Sequence, residues 1–278
     1  MGNITGGGVI GGIAGGSYDA IEDCYNTGDI NSSGDCAGGI FGENTSSGSE
    51  TITNCYNKGV ITGKYYTGGI AGNSVHSIIN CYNINAISGT NYTGGIVGNI
   101  SGSSSKIEKC YSTASTSGGT YVGGVAGYNN GATVNNCYNI ADVKGRAKLG
   151  GVVGENTATI TNSYNIGSVT GRSSSIEGYI GGITGKNTGT IAGCYYLENC
   201  AVTYNGTVQN GVGLNSVSTS ATDVAGQTIS VTSGQITSGE VAHALQNANT
   251  EMTWGQVSNM PGAYPILTDK EVYKVVTV

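Results

Sequence analysis

Hydrophobic positions recur along most of the chain with a period close to 28 residues. In each unit a Gly-Gly pair precedes Ile or Val, and a second Ile or Val stands three residues before a Cys-Tyr pair. In most units a third apolar residue follows six residues after the cysteine. The second glycine of the pair lies at positions 12, 39, 69, 95, 124, 151 and 182, which are 26 to 31 residues apart. A repeat of this length indicates a solenoid, a propeller or a repeat array.

Three apolar columns decide between these architectures. Each column lies in a short β-branched stretch bounded by Gly, Asn or Ser, which predicts a strand. A propeller blade needs roughly 40 residues or more, and parallel strands joined by crossovers nearly always coil with a right hand. We therefore predict an all-β chain, a right-handed parallel β-helix of about seven or more coils with three strands per coil. The columns are Ile13, Ile40, Ile70, Ile96, Val125, Val152 and Ile183; Ile21, Ile52, Ile78, Ile107, Val134, Ile160 and Ile191; and Ile30, Ile61, Ile87, Thr116, Val143 and Val169.

The repeat pattern ends after Tyr196 and divides the chain. We assign residues 1–197 to the β-helix, 198–237 to irregular last coils or a connector, and 238–278 to a C-terminal cap. The cap contains "SGEVAHALQNA", which predicts a short helix with Ser238 as its N-cap. We expect the cap to cover the open strand edges of the last coil. The chain opens within a repeat, since Ile4-Thr5-Gly6 matches Ile61-Thr62-Gly63, and we expect it to be part of a longer protein.

Composition agrees with strands stacked in register and excludes several functions. The chain has 50 Gly, 2 Pro and 10% charged residues, and stacked columns disfavour charge and proline alike. Recurrent asparagines, such as Asn57, Asn83, Asn139 and Asn165, are expected to form amide ladders. The formal net charge is −6 without a basic cluster, so a nucleic acid is not an expected partner. No apolar run is long enough to span a membrane.

Six of the eight cysteines occupy one column, with Ser163 in the seventh place. Side chains stacked on adjacent coils are about 4.8 Å apart, farther than the roughly 3.8 Å between Cβ atoms in a disulfide. We expect this column to consist of buried free thiols. Two other pairings, Cys194 with Cys200 and Cys24 with Cys36, stay open.

Tyrosine forms a second column, which we interpret as a stacked aromatic ladder in preference to a sugar-binding stripe. Four tyrosines outside that column, just before Gly-Gly pairs, are the better candidates for ligand binding. Loops at residues 43–50, 99–106 and 171–178 vary in length and could add a recognition surface. The column is Tyr25, Tyr56, Tyr82, Tyr111, Tyr138, Tyr164 and Tyr195, and the ligand candidates are Tyr65, Tyr66, Tyr92 and Tyr121.

Acidic residues concentrate in the first coil, where Asp19, Asp23 and Asp29 are candidate ligands for Ca²⁺. Their oxygens suit calcium, but their spacing matches no known calcium loop, so we favour a solvated end. No other cofactor is expected.

Carbohydrate-cleaving enzymes are built on β-helices, which makes a polysaccharide-binding or polysaccharide-degrading protein the alternative function. Such an enzyme needs carboxylates that converge on neighbouring coils. Glu43 and Glu155 share a column but are four coils apart, roughly 19 Å at 4.8 Å per coil. The only histidines, His76 and His243, are distant in sequence and suggest no triad. We therefore expect that the chain is not an enzyme.

The copies of Gly12-Ile13-Ala14-Gly15, each followed by a Cys-Tyr-Asn segment, resemble the GLUG repeat of bacterial surface proteins over about residues 4 to 197. That repeat also occurs in non-catalytic regions of some immunoglobulin A peptidases. The resemblance implies an extracellular or cell-surface location and, by association, adhesion. We expect a structural stalk or adhesive segment that is monomeric and meets a host or cell-surface glycan or protein.

Overall fold

Strands of two to five residues stack coil upon coil into five sheets, which enclose an apolar interior. The computed structural model describes residues 2–44, 50–172, 178–202, 206–212, 228–251, 253–256 and 263–268. Successive coils pair in parallel and in register, so that Ile61, for example, lies between Ile30 and Ile87. The predicted all-β parallel β-helix of about seven coils is confirmed. The interiors of the loops predicted at 43–50 and 171–178, and the chain after residue 268, lie outside the described residues.

We name the sheets A to E in the order in which the chain visits them. Sheet A contains Ile4–Gly6, Ile30–Ser32, Ile61–Thr62, Ile87–Ser88, Thr116–Ser117, Val143–Gly145, Val169–Gly171, Ala201–Val202 and the antiparallel Val208–Gln209. Sheet B contains Val9–Gly11, Cys36–Gly38, Tyr66–Gly68, Tyr92–Gly94, Tyr121–Gly123, Leu149–Gly150 and Ile180–Gly181. Sheet C contains Ala14–Gly16, Phe41–Glu43, Ala71–Ser74, Val97–Ser101, Ala126–Asn130, Val153–Asn156 and Thr184–Asn187.

The remaining two sheets complete each coil. Sheet D contains Ile21–Glu22, Thr51–Thr53, Ser77–Ile79, Lys106–Glu108, Thr133–Asn135, Thr159–Thr161 and Thr190–Ala192. Sheet E contains Tyr25–Asn26, Tyr56–Asn57, Tyr82–Asn83, Tyr111–Ser112, Tyr138–Asn139, Tyr164–Asn165, Cys194–Leu197 and Thr228–Val231. The prediction of three strands per coil is therefore wrong, because a full coil has five. The prediction missed sheet E because its strands place asparagine in the interior where an apolar residue was expected. Asn57, for example, is 0% exposed.

The Gly-Gly pair lies where the chain turns from sheet B to sheet C. Glycine is required there because the neighbouring atoms leave no room for a Cβ atom. A Cβ added to Gly124 would lie 2.2 Å from the carbonyl oxygen of Gly151 and 2.4 Å from Cγ of Asn139. Real Cβ atoms do not approach other atoms so closely, so only glycine fits beneath the next coil.

Amide ladders form as predicted. Asn57 receives a bond from Nδ2 of Asn26 at 2.8 Å and donates its own Nδ2 to Oδ1 of Asn83 at 2.8 Å. A further ladder in sheet C, from Asn129 through Asn156 to Asn187, was not predicted. Another asparagine column occupies the corner between sheets D and E, where Asn54 has a φ of 56°. Asparagine tolerates this left-handed conformation better than most residues do.

The thiol column is also present, and all eight cysteines are free. The Cys55 amide donates to Sγ of Cys81 at 3.4 Å, and the Cys137 amide donates to Oγ of Ser163 at 3.1 Å. Burial raises the pKa of Cys194 to about 12. Neither of the pairings left open is a disulfide in the structure, and the column consists of free thiols that are buried in every coil except the first, where Cys24 is half-buried.

The C-terminal segment forms helix α1 (Ser233–Thr237), helix α2 (Glu240–Asn247) and a two-stranded ribbon of Trp254–Gly255 and Ile266–Leu267. We call these elements the cap. They do not cover the end of the solenoid as predicted; they pack sideways on the outer face of sheet E. The predicted helix is present, but its N-cap is Gly239 instead of Ser238. No helix in the described part of the chain is long and apolar enough to cross a membrane.

Candidate functional site

Six of the seven tyrosines of the regular column, from Tyr25 to Tyr164, form the predicted ladder along the outside of sheet E, and Tyr195 follows them in strand register. Neighbouring rings from Tyr25 to Tyr164 stack with centroids 4.8 to 5.2 Å apart and interplanar angles of 2° to 7°. The cap buries Tyr138 and Tyr164, while Tyr25 is 48% exposed. Each ring covers the faces of its neighbours, so the ladder presents ring edges and hydroxyls to its surroundings.

The ligand candidates lie elsewhere, on the outer side of the bend between sheets B and C. Outward side chains of the two sheets meet there and form a groove along the helix axis, which we call the B–C groove. At its first-coil end, Val9, Tyr18 and Glu43 line a cavity of about 360 Å³. The sheet B side presents Val9, Cys36, Tyr66, Tyr92, Tyr121, Lys148 and Tyr179, and the sheet C side presents Glu43, Asn73, Asn99, Tyr128, Glu155 and Lys186.

The structure brings all four candidate tyrosines together in this groove. The rings of Tyr66 and Tyr92 stack at 4.9 Å, and those of Tyr92 and Tyr121 at 4.3 Å. Tyr65, 39% exposed, places its ring edge-on to Tyr66 at 4.9 Å. A fifth ring, Tyr128 of sheet C, lies 5.7 Å from Tyr121. We call these five residues the tyrosine cluster.

Three hydroxyl groups of the cluster have a pKa above the ordinary value of tyrosine. Burial and the neighbouring Tyr121 hydroxyl raise the pKa of Tyr92. Burial likewise raises the pKa of Tyr66 and of Tyr128. Tyr66, Tyr92 and Tyr128 therefore offer neutral phenols that both donate and accept hydrogen bonds.

Amides line the wall opposite the cluster. Asn99 donates its Nδ2 to Oδ1 of Asn73 at 2.7 Å, and Asn73 donates to Oε1 of Glu43 at 2.9 Å. The row stops at Asn99 because the next coil has Tyr128 in that place. Oδ1 of Asn99 accordingly accepts no hydrogen bond from the described residues. In the middle of the groove, aromatic rings thus lie near the partly exposed side chains of Asn73 and Asn99, while the Oδ1 atom of Asn99 is buried.

Ion pairs close the far end of the groove. Glu155 contacts Nζ of Lys148 at 2.7 Å and Nζ of Lys186 at 2.9 Å. Burial raises the pKa of Glu155, but the bonds from both lysines outweigh it, and the pKa lies below its ordinary value. Nζ of Lys148 also lies 4.2 Å from the ring centroid of Tyr121. These contacts anchor the last ring of the cluster.

Sequence reasoning missed Tyr128, Asn73 and Asn99. Tyr128 lies four residues after Gly124, and Asn73 and Asn99 lie four residues after Gly69 and Gly95, so the three residues form one column. That column was recognised only through Glu43 and Glu155. Its closeness to the tyrosines depends on the bend between sheets B and C, which spacing alone does not reveal.

The calcium candidates lie at separate places around the first coil. Asp19 precedes sheet D, Asp23 is at the corner between sheets D and E, and Asp29 precedes sheet A. Oδ1 of Asp23 accepts a bond from Asn54 at 3.0 Å, and Oδ1 of Asp29 accepts one from the Val60 amide at 2.9 Å. Within the described residues no three His, Cys, Asp or Glu side chains are grouped as a metal site. Calcium binding stays an untested prediction.

Other candidate chemical groups have structural partners. His76 is 2% exposed and lies near Nδ2 of Asn44 and, at 3.7 Å, Oε2 of Glu50. Cys36 lies buried in the B–C groove beside Glu43, and burial together with that carboxylate raises its pKa to about 12. A thiol with such a pKa carries little thiolate at neutral pH.

Comparison with known proteins finds one solved structure that shares the fold of this chain. No family model matches the chain, and no curated protein matches it. A solved structure from Bacteroides ovatus, named a "putative immunoglobulin A1 protease", superimposes with a TM-score of 0.52 at 21% identity. The match covers 90% of this chain and 78% of that chain. At this identity the likeness shows the shared β-helix fold.

The comparison corrects one prediction. The chain was expected not to be an enzyme, because its carboxylates are scattered and its fold suits a stalk. A protein of the same fold is named as a protease. The expectation is therefore wrong as drawn, since this architecture does not separate binding proteins from enzymes.

Proposed function

We propose that this β-helix protein acts outside the cell, where its B–C groove binds a glycan of a cell surface or of a matrix glycoprotein. The observation that carries the proposal is the tyrosine cluster, five rings in contact on an outer face of the solenoid. The ladder on sheet E is a single column of rings, whereas in this cluster a stack of three rings is joined by Tyr65 and by Tyr128 of the neighbouring sheet.

The chemistry of the groove suits a sugar. Glycans combine apolar C–H patches with hydroxyl groups, and binding sites for such ligands pair aromatic walls with a few polar groups. Tyrosine edges and hydroxyls supply the first wall, and the partly exposed amide side chains of Asn73 and Asn99 supply the second. Glu43 and Glu155 balance Lys148 and Lys186 along the groove, which favours a neutral glycan over an acidic one.

The resemblance to GLUG repeats supports the extracellular setting and an adhesive role. A stiff coil of parallel strands can hold its flank away from a cell, and such concave solenoid faces commonly serve as binding surfaces.

A glycan array tests this proposal. We expect saturable binding by the parent and at least a tenfold loss in the Tyr66→Ser, Tyr92→Ser, Tyr121→Ser variant, because aromatic contacts contribute most of such binding. The matched control is Tyr25→Ser, Tyr56→Ser on the ladder, which should bind like the parent. A blank array for the parent, or equal binding by the groove variant, would contradict the proposal.

Peptide-bond hydrolysis is the second candidate, favoured by the name of the solved structure that shares this fold. Its test is incubation of the parent with immunoglobulin A1 and with casein, followed by electrophoresis and mass spectrometry of any fragments. Fragments that the groove variant produces more slowly would show that the groove holds the substrate. Fragments produced at an unchanged rate would place hydrolysis elsewhere on the chain.

A further inference from the structure

Arg146 and Arg172 are the two arginines of the chain, and the coil brings them together at the corner between sheets A and B. Gly145 pairs with Gly171 in sheet A, and the Arg172 amide donates to the carbonyl oxygen of Gly145 at 2.7 Å. Each arginine directly follows one of these glycines. The two therefore occupy the same column on adjacent coils, whose backbones are roughly 4.8 Å apart. Both side chains are exposed.

Two like charges on neighbouring strands repel each other, which costs free energy. Other cations on this side of the solenoid avoid that arrangement. Lys186 lies beside Glu155 in sheet C, and Lys144 lies between the neutral Ser117 and Thr170 in sheet A. An anion held between the arginines would turn the repulsion into attraction.

The arginines also have no carboxylate partner. Neither guanidinium forms an ion pair with any of the described residues, whereas the lysines on the same coil do. Nζ of Lys144 lies 2.7 Å from Oδ2 of Asp142, and Nζ of Lys148 lies 2.7 Å from Oε2 of Glu155. These carboxylates are thus paired with lysines, and the corner keeps two uncompensated positive charges.

Hydroxyl groups lie next to the arginines on the outer face of sheet A. Ser88, Ser117, Lys144 and Thr170 follow one another in one column. Ser88 is exposed, and Ser117 and Thr170 are half-buried. Such hydroxyls donate and accept hydrogen bonds, as the hydroxyls of a sugar do.

We propose that this corner, formed by Arg146, Arg172 and Lys144, binds a sulfate or carboxylate group of an anionic polysaccharide. The planar guanidinium fork suits such groups, because it can donate two parallel hydrogen bonds to one anion. The sugars beside the bound group would lie over the hydroxyl column of sheet A. This site is separate from the B–C groove, whose charges are balanced, and it does not depend on the function proposed for that groove.

Dextran sulfate and polygalacturonate are the probes, with unmodified dextran as the uncharged control. We expect the whole chain to bind an anionic polymer saturably and to leave dextran unbound. Arg146→Gln, Arg172→Gln should weaken this binding about tenfold or more, because charge-assisted hydrogen bonds are lost. Arg146→Lys, Arg172→Lys should have a smaller effect, since it keeps both charges and loses only the planar forks.

The matched control is Lys106→Gln, Lys109→Asn, which removes two positive charges at sheet D. Asparagine suits the second position, because Asn80 and Asn136 hold the same left-handed place with φ of 53° and 51°, like Lys109. This variant should bind like the parent. The groove variant should also bind like the parent, so failure of this proposal and failure of the groove proposal can be told apart.

Binding of dextran sulfate alone would identify the recognised group as a sulfate, and binding of polygalacturonate alone would identify it as a carboxylate. Four results would overturn the proposal. They are a parent that binds neither polymer, unchanged binding by the Arg→Gln variant, an equal loss in the lysine control, and tighter binding of a DNA duplex than of either polysaccharide.

Discussion

Individual residues in this protein are selected by their neighbours one coil above and below. Asn57 can be buried because its side-chain amide is paired on both sides: its Oδ1 accepts a hydrogen bond from Asn26, and its Nδ2 donates one to Asn83. Ser163 replaces a cysteine because its hydroxyl accepts the bond from the Cys137 amide that Sγ accepts elsewhere in the column. A substitution is therefore tolerated when the new side chain keeps the contacts with the equivalent residues in the coil above and in the coil below.

Glu155 breaks this pattern of neutral columns, and its contribution should depend on pH. Its carboxylate, whose side chain is 9% exposed, pairs with Lys148 and Lys186. The folded pKa lies below the ordinary value of 4.5, so the stabilisation is complete above that pH and is lost as the pH falls through the folded pKa. We expect Glu155→Gln to cost about 1 to 3 kcal/mol at pH 7.

Thermal unfolding from pH 7 to pH 3 measures this effect. The difference in Tm between the parent and Glu155→Gln should shrink as the pH falls below 4.5. Glu22→Gln, at an exposed position in sheet D, is the control and should change stability by less than about 0.5 kcal/mol. A gap between parent and Glu155→Gln that stays constant to pH 3 would show that the ion pairs contribute nothing.

The sequence predicts the residues that face the interior and misses much of what faces outward. The Ile, Cys and Asn columns are visible as repeats because each must fit the coil above. Tyr65, Tyr66, Tyr92 and Tyr121 were recognised as irregular, but the contact of Tyr92 and Tyr121 with Tyr128 arises from the close packing of sheets B and C. That packing depends on glycines such as Gly72, where an added Cβ would lie 2.8 Å from the Ala37 nitrogen.

At the scale of elements, the cap differs most from its prediction. A helix of eight residues with buried Val241 and Leu245 can be read from its apolar spacing. The surface on which this helix docks cannot be predicted in the same way, because the end of the solenoid and the tyrosine ladder both offer apolar surface. In the structure the cap packs on the ladder. There the ring of Trp254 contacts Tyr138 and Tyr164, and its Nε1 donates a hydrogen bond to Oδ1 of Asn136.

Trp254 should therefore hold the cap in place. The side chain is 1% exposed, and truncating a buried aromatic residue to alanine costs about 3 to 5 kcal/mol. In Trp254→Ala we expect faster hydrogen exchange in α1 and α2, together with new exchange in the strands of Tyr138 and Tyr164. Trp254→Phe keeps ring contacts and loses the bond to Asn136, so its effect should be smaller.

Hydrogen exchange in the first three coils, whose sheet E strands begin at Tyr25, Tyr56 and Tyr82, serves as the internal control for this experiment. Among the described residues, none of those coils contributes to the apolar cluster under the cap, so their protection should match that of the parent. A uniform loss of protection along the chain would show that the cap and the solenoid unfold as one unit, contrary to the prediction.

The whole molecule is a one-dimensional stack. Each coil pairs only with the coils above and below it, as in the order of strands within every sheet. Stability in such proteins is approximately a sum over coils and their interfaces. The first coil has a neighbour on one side only, and there Ile13 is 40% exposed, whereas Ile40 and Ile70 in the same column are fully buried.

A stack of this kind should tolerate the loss of one whole coil. Deleting residues 70–95 joins Gly69 to Ile96 and places Ile61 on Thr116, Cys55 on Cys110 and Tyr66 on Tyr121, so every column continues. We expect a folded protein with the circular dichroism of the parent, shorter by about 4.8 Å in small-angle scattering. Deleting residues 70–82 removes half as much chain but joins the end of the sheet B strand Tyr66–Gly68 to Asn83 of sheet E, without the strands of sheets C and D between them, and that variant should aggregate. A folded half-coil deletion, or an unfolded whole-coil deletion, would show that the coils are not independent units and that contacts beyond nearest neighbours determine the fold.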